Sequence, residues 1–109
     1  MGLTQQIEEL LAAPASGDSA PSLDRLESTL TDGYAEALAL EAERSRIERR
    51  IGEVASTADE RVGLAEELTE LASRRRSTDR ELLKLRSLLG LLQVRARATR
   101  RQTMPDLTA

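Results

Sequence analysis

Two sets of side chains in this sequence stand at spacings that could do chemistry: paired carboxylates and a run of arginines. Glu66 with Glu70, and Glu36 with Glu43, would each share one face of a helix. Two carboxylates on one face can grip a divalent metal or divide acid and base roles. Carboxylate metal centres in helical bundles, however, rely on Glu-x-x-His pairs projecting inward. This chain has no His, which removes the commonest general base as well as that ligand. It has no Cys, so thiolate chemistry, thiolate metal ligands and disulfides are all out of reach. Ser and Thr are plentiful, but nothing stands ready to activate them as nucleophiles. The carboxylates therefore read as solvated faces, and neither an enzyme nor a cofactor is expected.

The arginines are Arg95, Arg97, Arg100 and Arg101, the most basic stretch of the chain. Such a cluster could neutralise nucleic-acid phosphates or an acidic membrane surface. It could equally complement the dipole at a helix C-terminus. No aromatic platform for stacking bases accompanies it, since Tyr34 is the one aromatic residue and the net charge is −3. Nucleic-acid contact is the second choice here.

The elements that position these groups follow from composition and period. Among the 109 residues there is no Phe or Trp, and 32 % are charged. With Leu, Ala, Glu and Arg dominant, that is the make-up of coiled coils and long helices. Leu23, Leu26, Leu30, Gly33, Ala37, Leu40, Arg44, Ile47, Ile51 and Val54 recur at alternating spacings of three and four. So do Leu64, Leu68, Leu71, Arg75, Thr78, Leu82, Leu85, Leu89, Leu92 and Ala96. A repeat of about 3.5 residues keeps one seam facing a partner helix. Between the two sets the phase breaks. Either the chain folds back there, or one long helix carries a stammer and dimerises in parallel.

Charge favours folding back. Residues 1–43 carry one basic and nine acidic groups, and residues 73–109 carry ten basic and three acidic. A hairpin sets these blocks side by side, whereas a parallel dimer stacks like on like. Thr57 and Glu60 have capping-box spacing, which places the turn near residue 57. In that register Leu23 meets Leu92, Gly33 meets Leu82, and Arg46, Arg49 and Arg50 lie beside Glu66, Glu67 and Glu70. Arg44 then faces Leu71 and Arg75 faces Leu40, each stem packing while its head reaches water. The expected fold is all-α: a long antiparallel coiled-coil hairpin over about 22–55 and 58–99.

Around it stand a short amphipathic helix in residues 1–13 and a linker at 14–21 carrying Pro14, Gly17 and Pro21. The hairpin proper spans 22–101, and a frayed tail follows at 102–109. A second capping-box spacing, Thr78 to Glu81, allows a kink around 73–79, although a continuous helix is the simpler reading. The tip presents Asp59 and Glu60. An acidic tip on a helical finger resembles, in shape alone, the transcription-cleavage factors of the Gre type, which hold a metal in RNA polymerase. That resemblance implies a polymerase-associated factor as an alternative function.

The open end of the hairpin carries more apolar residues than a two-stranded seam buries, which implies a further partner. Leu3, Ile7 and Leu10 of the N-terminal helix and Leu83, Leu88 and Leu91 of the second long helix are the candidate partner-binding residues. The occupant is the chain's own N-terminal helix, a second copy in a homodimer, or a foreign protein. Gln5, Glu8 and Glu9 interrupt the first apolar stretch, so no secretory signal is expected. The run from Leu88 to Val94 is too short to span a bilayer. The functional expectation is a cytoplasmic, non-enzymatic adaptor, scaffold or small regulatory protein acting by helix–helix binding, with no membrane partner.

Overall fold

The computed structural model describes residues 2–57 and 62–103, and the described residues form three α-helices and no strand. Helix α1 is Leu3–Ala12, α2 is Leu23–Ser56 and α3 is Leu64–Thr103. The two long helices pack against each other as an antiparallel hairpin, so the fold class follows the heptads. Two compact units divide the chain: a first unit of residues up to Glu36 and from Leu85 onward, and a second of Ala37–Lys84.

Each helix end has a local cause. Ser22 Oγ accepts the Arg25 backbone N–H at 3.2 Å and so caps the start of α2, with Asp24 adding favourable charge in the first turn. Pro21 precedes that cap, where a missing N–H costs nothing. Helix α1 stops at Ala12, one residue before Ala13–Pro14, because a residue before proline is pushed out of helical geometry. Its last turn closes with Ala13 N–H donating to the Leu10 carbonyl at 3.3 Å.

The reversal differs from the expected one. Thr57 does not start the second helix. Its hydroxyl donates to the Val54 carbonyl at 3.1 Å, and its N–H donates to the same carbonyl at 3.2 Å, closing the end of α2. The other half of the expected capping box, Glu60, lies outside the described residues, as does Asp59. Helix α3 begins only at Leu64, after Gly63 turns the chain at φ 84, a conformation natural to glycine. Glu66 and Glu67 fill its acidic first turn, and Arg100 and Arg101 its basic last turn, both favourable to the helix dipole. Residues 73–79 lie inside α3 without interruption.

In the first unit the register differs as well. There, a Cβ added at Gly33 would overlap the Leu89 side chain, with Leu89 Cγ 3.3 Å away. Gly33 therefore meets Leu89, one heptad beyond the expected Leu82. A slip of seven residues returns every seam position to the seam. The buried set accordingly matches the two heptad series, and among the predicted seam positions only Arg75 is exposed.

The core of the first unit consists of Ile7 and Leu10 from α1, Leu26 and Leu30 from α2, and Leu85, Leu89, Leu92 and Ala96 from α3. In the second unit Ile47, Val54 and Leu71 cluster, with Ile51, Leu64 and Leu68 packed against them. Each fully buried Leu or Ile contributes about 1.5–3 kcal/mol, so these seams hold the helices together.

Candidate functional site

In the second unit the seam is interrupted by charge. Arg44 donates to Asp79 Oδ1 at 3.4 Å and approaches Glu48 at 3.9 Å. Arg75 approaches the same two carboxylates, Glu48 at 3.2 Å and Asp79 at 3.9 Å. The heads of the two seam arginines thus share one alternating network. Glu48 and Asp79 each lie within reach of both guanidinium groups, so two carboxylates neutralise both arginines.

Flanking pairs run between the helices of this unit as charge patterning requires. Arg50 donates to Glu67 at 3.0 Å, one of the three glutamates expected beside it. Arg74 donates to Glu43 at 3.1 Å, and Arg46 to the other oxygen of Glu43 at 2.8 Å. The Arg46 hydrogen bond, followed by the Arg46 charge and the contacts of Arg74, holds the Glu43 carboxyl below its ordinary value despite opposing desolvation. These charges are committed to one another, which is the arrangement of a structural network.

Among the described residues, no group of three or more Asp or Glu side chains comes together as metal ligands would. Glu66 and Glu70 border a shallow hollow with Ala65, Thr69, Ser73 and Arg74, all on α3. A hollow lined by one helix is a surface dip, with no second element to converge on a substrate.

The first unit holds the arginine run, and its members separate. Arg95 is half-buried. Its guanidinium donates to the Leu11 carbonyl at 3.3 Å, to the Ala13 carbonyl at 2.8 Å and to the Pro14 carbonyl. The Leu11 and Ala13 carbonyls are among those left open at the end of α1, and Pro14 follows directly, so Arg95 caps that helix and pins it to α3. Arg100 donates to Glu27 of α2 at 2.7 Å. Arg97 and Arg101 are exposed. Of the four arginines singled out by composition, two are engaged inside the unit.

The candidate partner-binding residues separate too. Ile7 and Leu10 are buried in the first unit and Leu3 is half-buried, so the N-terminal helix docks within its own chain. Leu88 is half-buried. Leu91 is 58 % exposed and its neighbour Val94 61 %, both in the first unit. Leu83 in the second unit is 69 % exposed. Val94 had no place among the sequence candidates, although it lies one helical turn from Leu91 on the outer side of α3.

A groove of about 410 Å³ also opens on the first unit. Leu30 and Ala96 form its floor. Glu27, Thr31 and Tyr34 line it from α2, and Gln93, Arg97 and Arg100 from α3. Heptad reading alone missed it, because it lies beside the seam. The available signal was the placement of Tyr34 off the seam beside the basic run.

Fold and surface define an all-α helical-hairpin protein with apolar side chains left in solvent. No family model matches the chain, and neither a curated protein nor a solved structure matches it.

Proposed function

We propose that this chain is a non-enzymatic adaptor, scaffold or small regulatory protein that works by helix–helix packing against another polypeptide. One observation carries the reading. Large apolar side chains stay exposed on helices whose seams are already filled: Leu91 and Val94 in the first unit, Leu38 and Leu83 in the second. Apolar residues standing outside a closed core mark interaction sites when they are contiguous, as Leu91 and Val94 are, one helical turn apart on α3. The cytoplasm is the proposed location, and no helix among the described residues is long and apolar enough to cross a membrane.

The test is capture of binding partners from native cells by the wild-type chain and by a Leu83→Arg/Leu91→Arg/Val94→Arg variant. The variant keeps its helical circular dichroism and melting temperature, because the changed residues are exposed, and loses the partners. Partners retained equally by both chains would sink the reading.

A second reading rests on α3 carrying no Asp or Glu between Leu82 and Thr103, against Lys84, Arg86, Arg95, Arg97, Arg100 and Arg101. A nucleic-acid-bound or polymerase-associated factor would use the exposed members of that run. Its binding would fall steeply with salt and vanish after nuclease treatment, because phosphate contacts release counterions. Apolar helix packing is far less sensitive to either.

A further inference from the structure

Among the described residues, the first unit is covered by α1 on one side and open on the other. Ala96 lies buried in its seam. The flanking residues Arg95 and Arg97 are about 200° apart around α3, since each residue turns a helix by about 100°. Arg95 holds the carbonyl end of α1, whereas Arg97 lines the groove. Helix α1 and the groove therefore lie on opposite sides of the same two-helix layer. One side has its third helix, and the other has a groove floored by Leu30 and Ala96 with Tyr34 in its wall.

We propose that the groove face receives a second copy of this chain, giving a four-helix core about a two-fold axis parallel to α2 and α3. Charge selects both the occupant and the axis. Within the unit, residues 23–36 of α2 carry Asp24, Glu27, Asp32 and Glu36 against Arg25, a net of −3. Residues 85–103 of α3 carry Arg86, Arg95, Arg97, Arg100 and Arg101 with no acid, a net of +5. An axis along the helices lays α2 of each copy on α3 of the other, antiparallel, so acidic meets basic twice. An axis across the helices would lay α2 on α2 and α3 on α3, like on like.

A two-fold interface must be complementary to itself, and a face with one acidic and one basic helix meets that condition. Arg100 is already bonded to Glu27 of its own chain, leaving Arg97 as the groove arginine that reaches α2 of the other copy. The small Ala96 side chain in the floor admits close approach of the second layer, and Tyr34 in the wall offers it an exposed apolar ring. The proposal rests on the helix-packing function proposed above and names a partner for a second surface, the groove, apart from Leu91 and Val94.

The absence of cysteine makes a direct test possible. Two single-cysteine chains, Thr31→Cys and Gln93→Cys, are oxidised separately and as a refolded mixture, alongside sedimentation of the wild-type chain. The expected results are a wild-type dimer and a disulfide that forms in the mixture far faster than in either sample alone. Arg97→Glu should weaken the dimer by about tenfold at low salt and leave the thermal melt of the monomer unchanged. A wild-type chain that stays monomeric at its highest soluble concentration overturns the proposal. So does a dimer whose cysteines link equally fast in the unmixed samples, or one indifferent to Arg97→Glu. A monomer that still captures a foreign protein through Leu83, Leu91 and Val94 would overturn the dimer alone and leave the helix-packing function standing.

Discussion

The two units of this hairpin solve the same packing problem with different materials. In the first, α1 adds Ile7 and Leu10 to leucines from both long helices, and the seam runs without a charge from Leu26 to Gly33 on α2. In the second, two helices alone bury Ile47, Val54 and Leu71, and the seam then gives way to Arg44, Glu48, Arg75 and Asp79. A third helix adds its own Ile7 and Leu10 to the core, and Arg95 fastens it through the end of its backbone. Two helices can bury only a narrow stripe, so the second unit draws on exposed ion pairs worth about 0–1 kcal/mol apiece. Stability should therefore be concentrated in the first unit.

Leu92→Ala should have the largest effect. Leu92 is fully buried, and its truncation leaves a cavity costing about 2–5 kcal/mol. Chemical denaturation gives the loss, and hydrogen exchange should show it in the amides of the first unit. A cost below that of Leu71→Ala in the second unit would break the contrast between them.

The glycines of α3 and α2 sharpen it further. Gly33→Ala forces a methyl into Leu89, and overpacking of this kind costs about 1–3 kcal/mol, more than the helix gains in propensity. Gly90→Ala meets nothing within 4 Å and should stabilise α3 by about 0.5–1 kcal/mol. Opposite signs in thermal melts are expected. A stabilising Gly33→Ala would mean that Leu89 does not sit where the shifted register puts it.

In the second unit, Arg50→Glu should cost a few tenths of a kcal/mol, and adding Glu67→Arg should restore part of that loss. The coupling should fade in high salt. Recovery with Glu66→Arg in place of Glu67→Arg would argue for a different pairing of the helices.

The smallest effect concerns acid. Glu43 is held below its ordinary value by Arg46 first and then Arg74. A lowered carboxylate contributes stability that is complete above its unfolded value and lost as pH falls through the folded one. NMR titration should find Glu43 protonating below the ordinary glutamate range, with Arg74→Ala moving it upward. No upward movement would show that the contact with α3 does not persist in solution.

Much of the fold was legible because heptads are a strong periodic signal. Ile47, Leu71 and Leu92 stand at seam positions in the sequence and are buried in the structure. The antiparallel sense was legible from the acidic and basic blocks. Register was not, because a heptad pattern is unchanged by a slip of seven residues. What separates Leu82 from Leu89 as the neighbour of Gly33 is the length of the reversal. Thr57 misled on that point: its hydroxyl suits either helix end, and here it serves the end of α2. The groove beside Tyr34 was also hidden, since it depends on which side of the seam α1 occupies.

Residue types and their period determined that this chain forms helices, which faces they bury, and that α2 and α3 run in opposite directions. These are properties of single helices and of net charge along the chain, and both can be read in one dimension. Tertiary structure decided that Gly33 meets Leu89, that Arg44 and Arg75 share two carboxylates, and that Arg95 holds α1 while Arg97 faces an open groove. Those outcomes depend on the length of the turn and on which face α1 takes, and each is fixed only when the helices pack together.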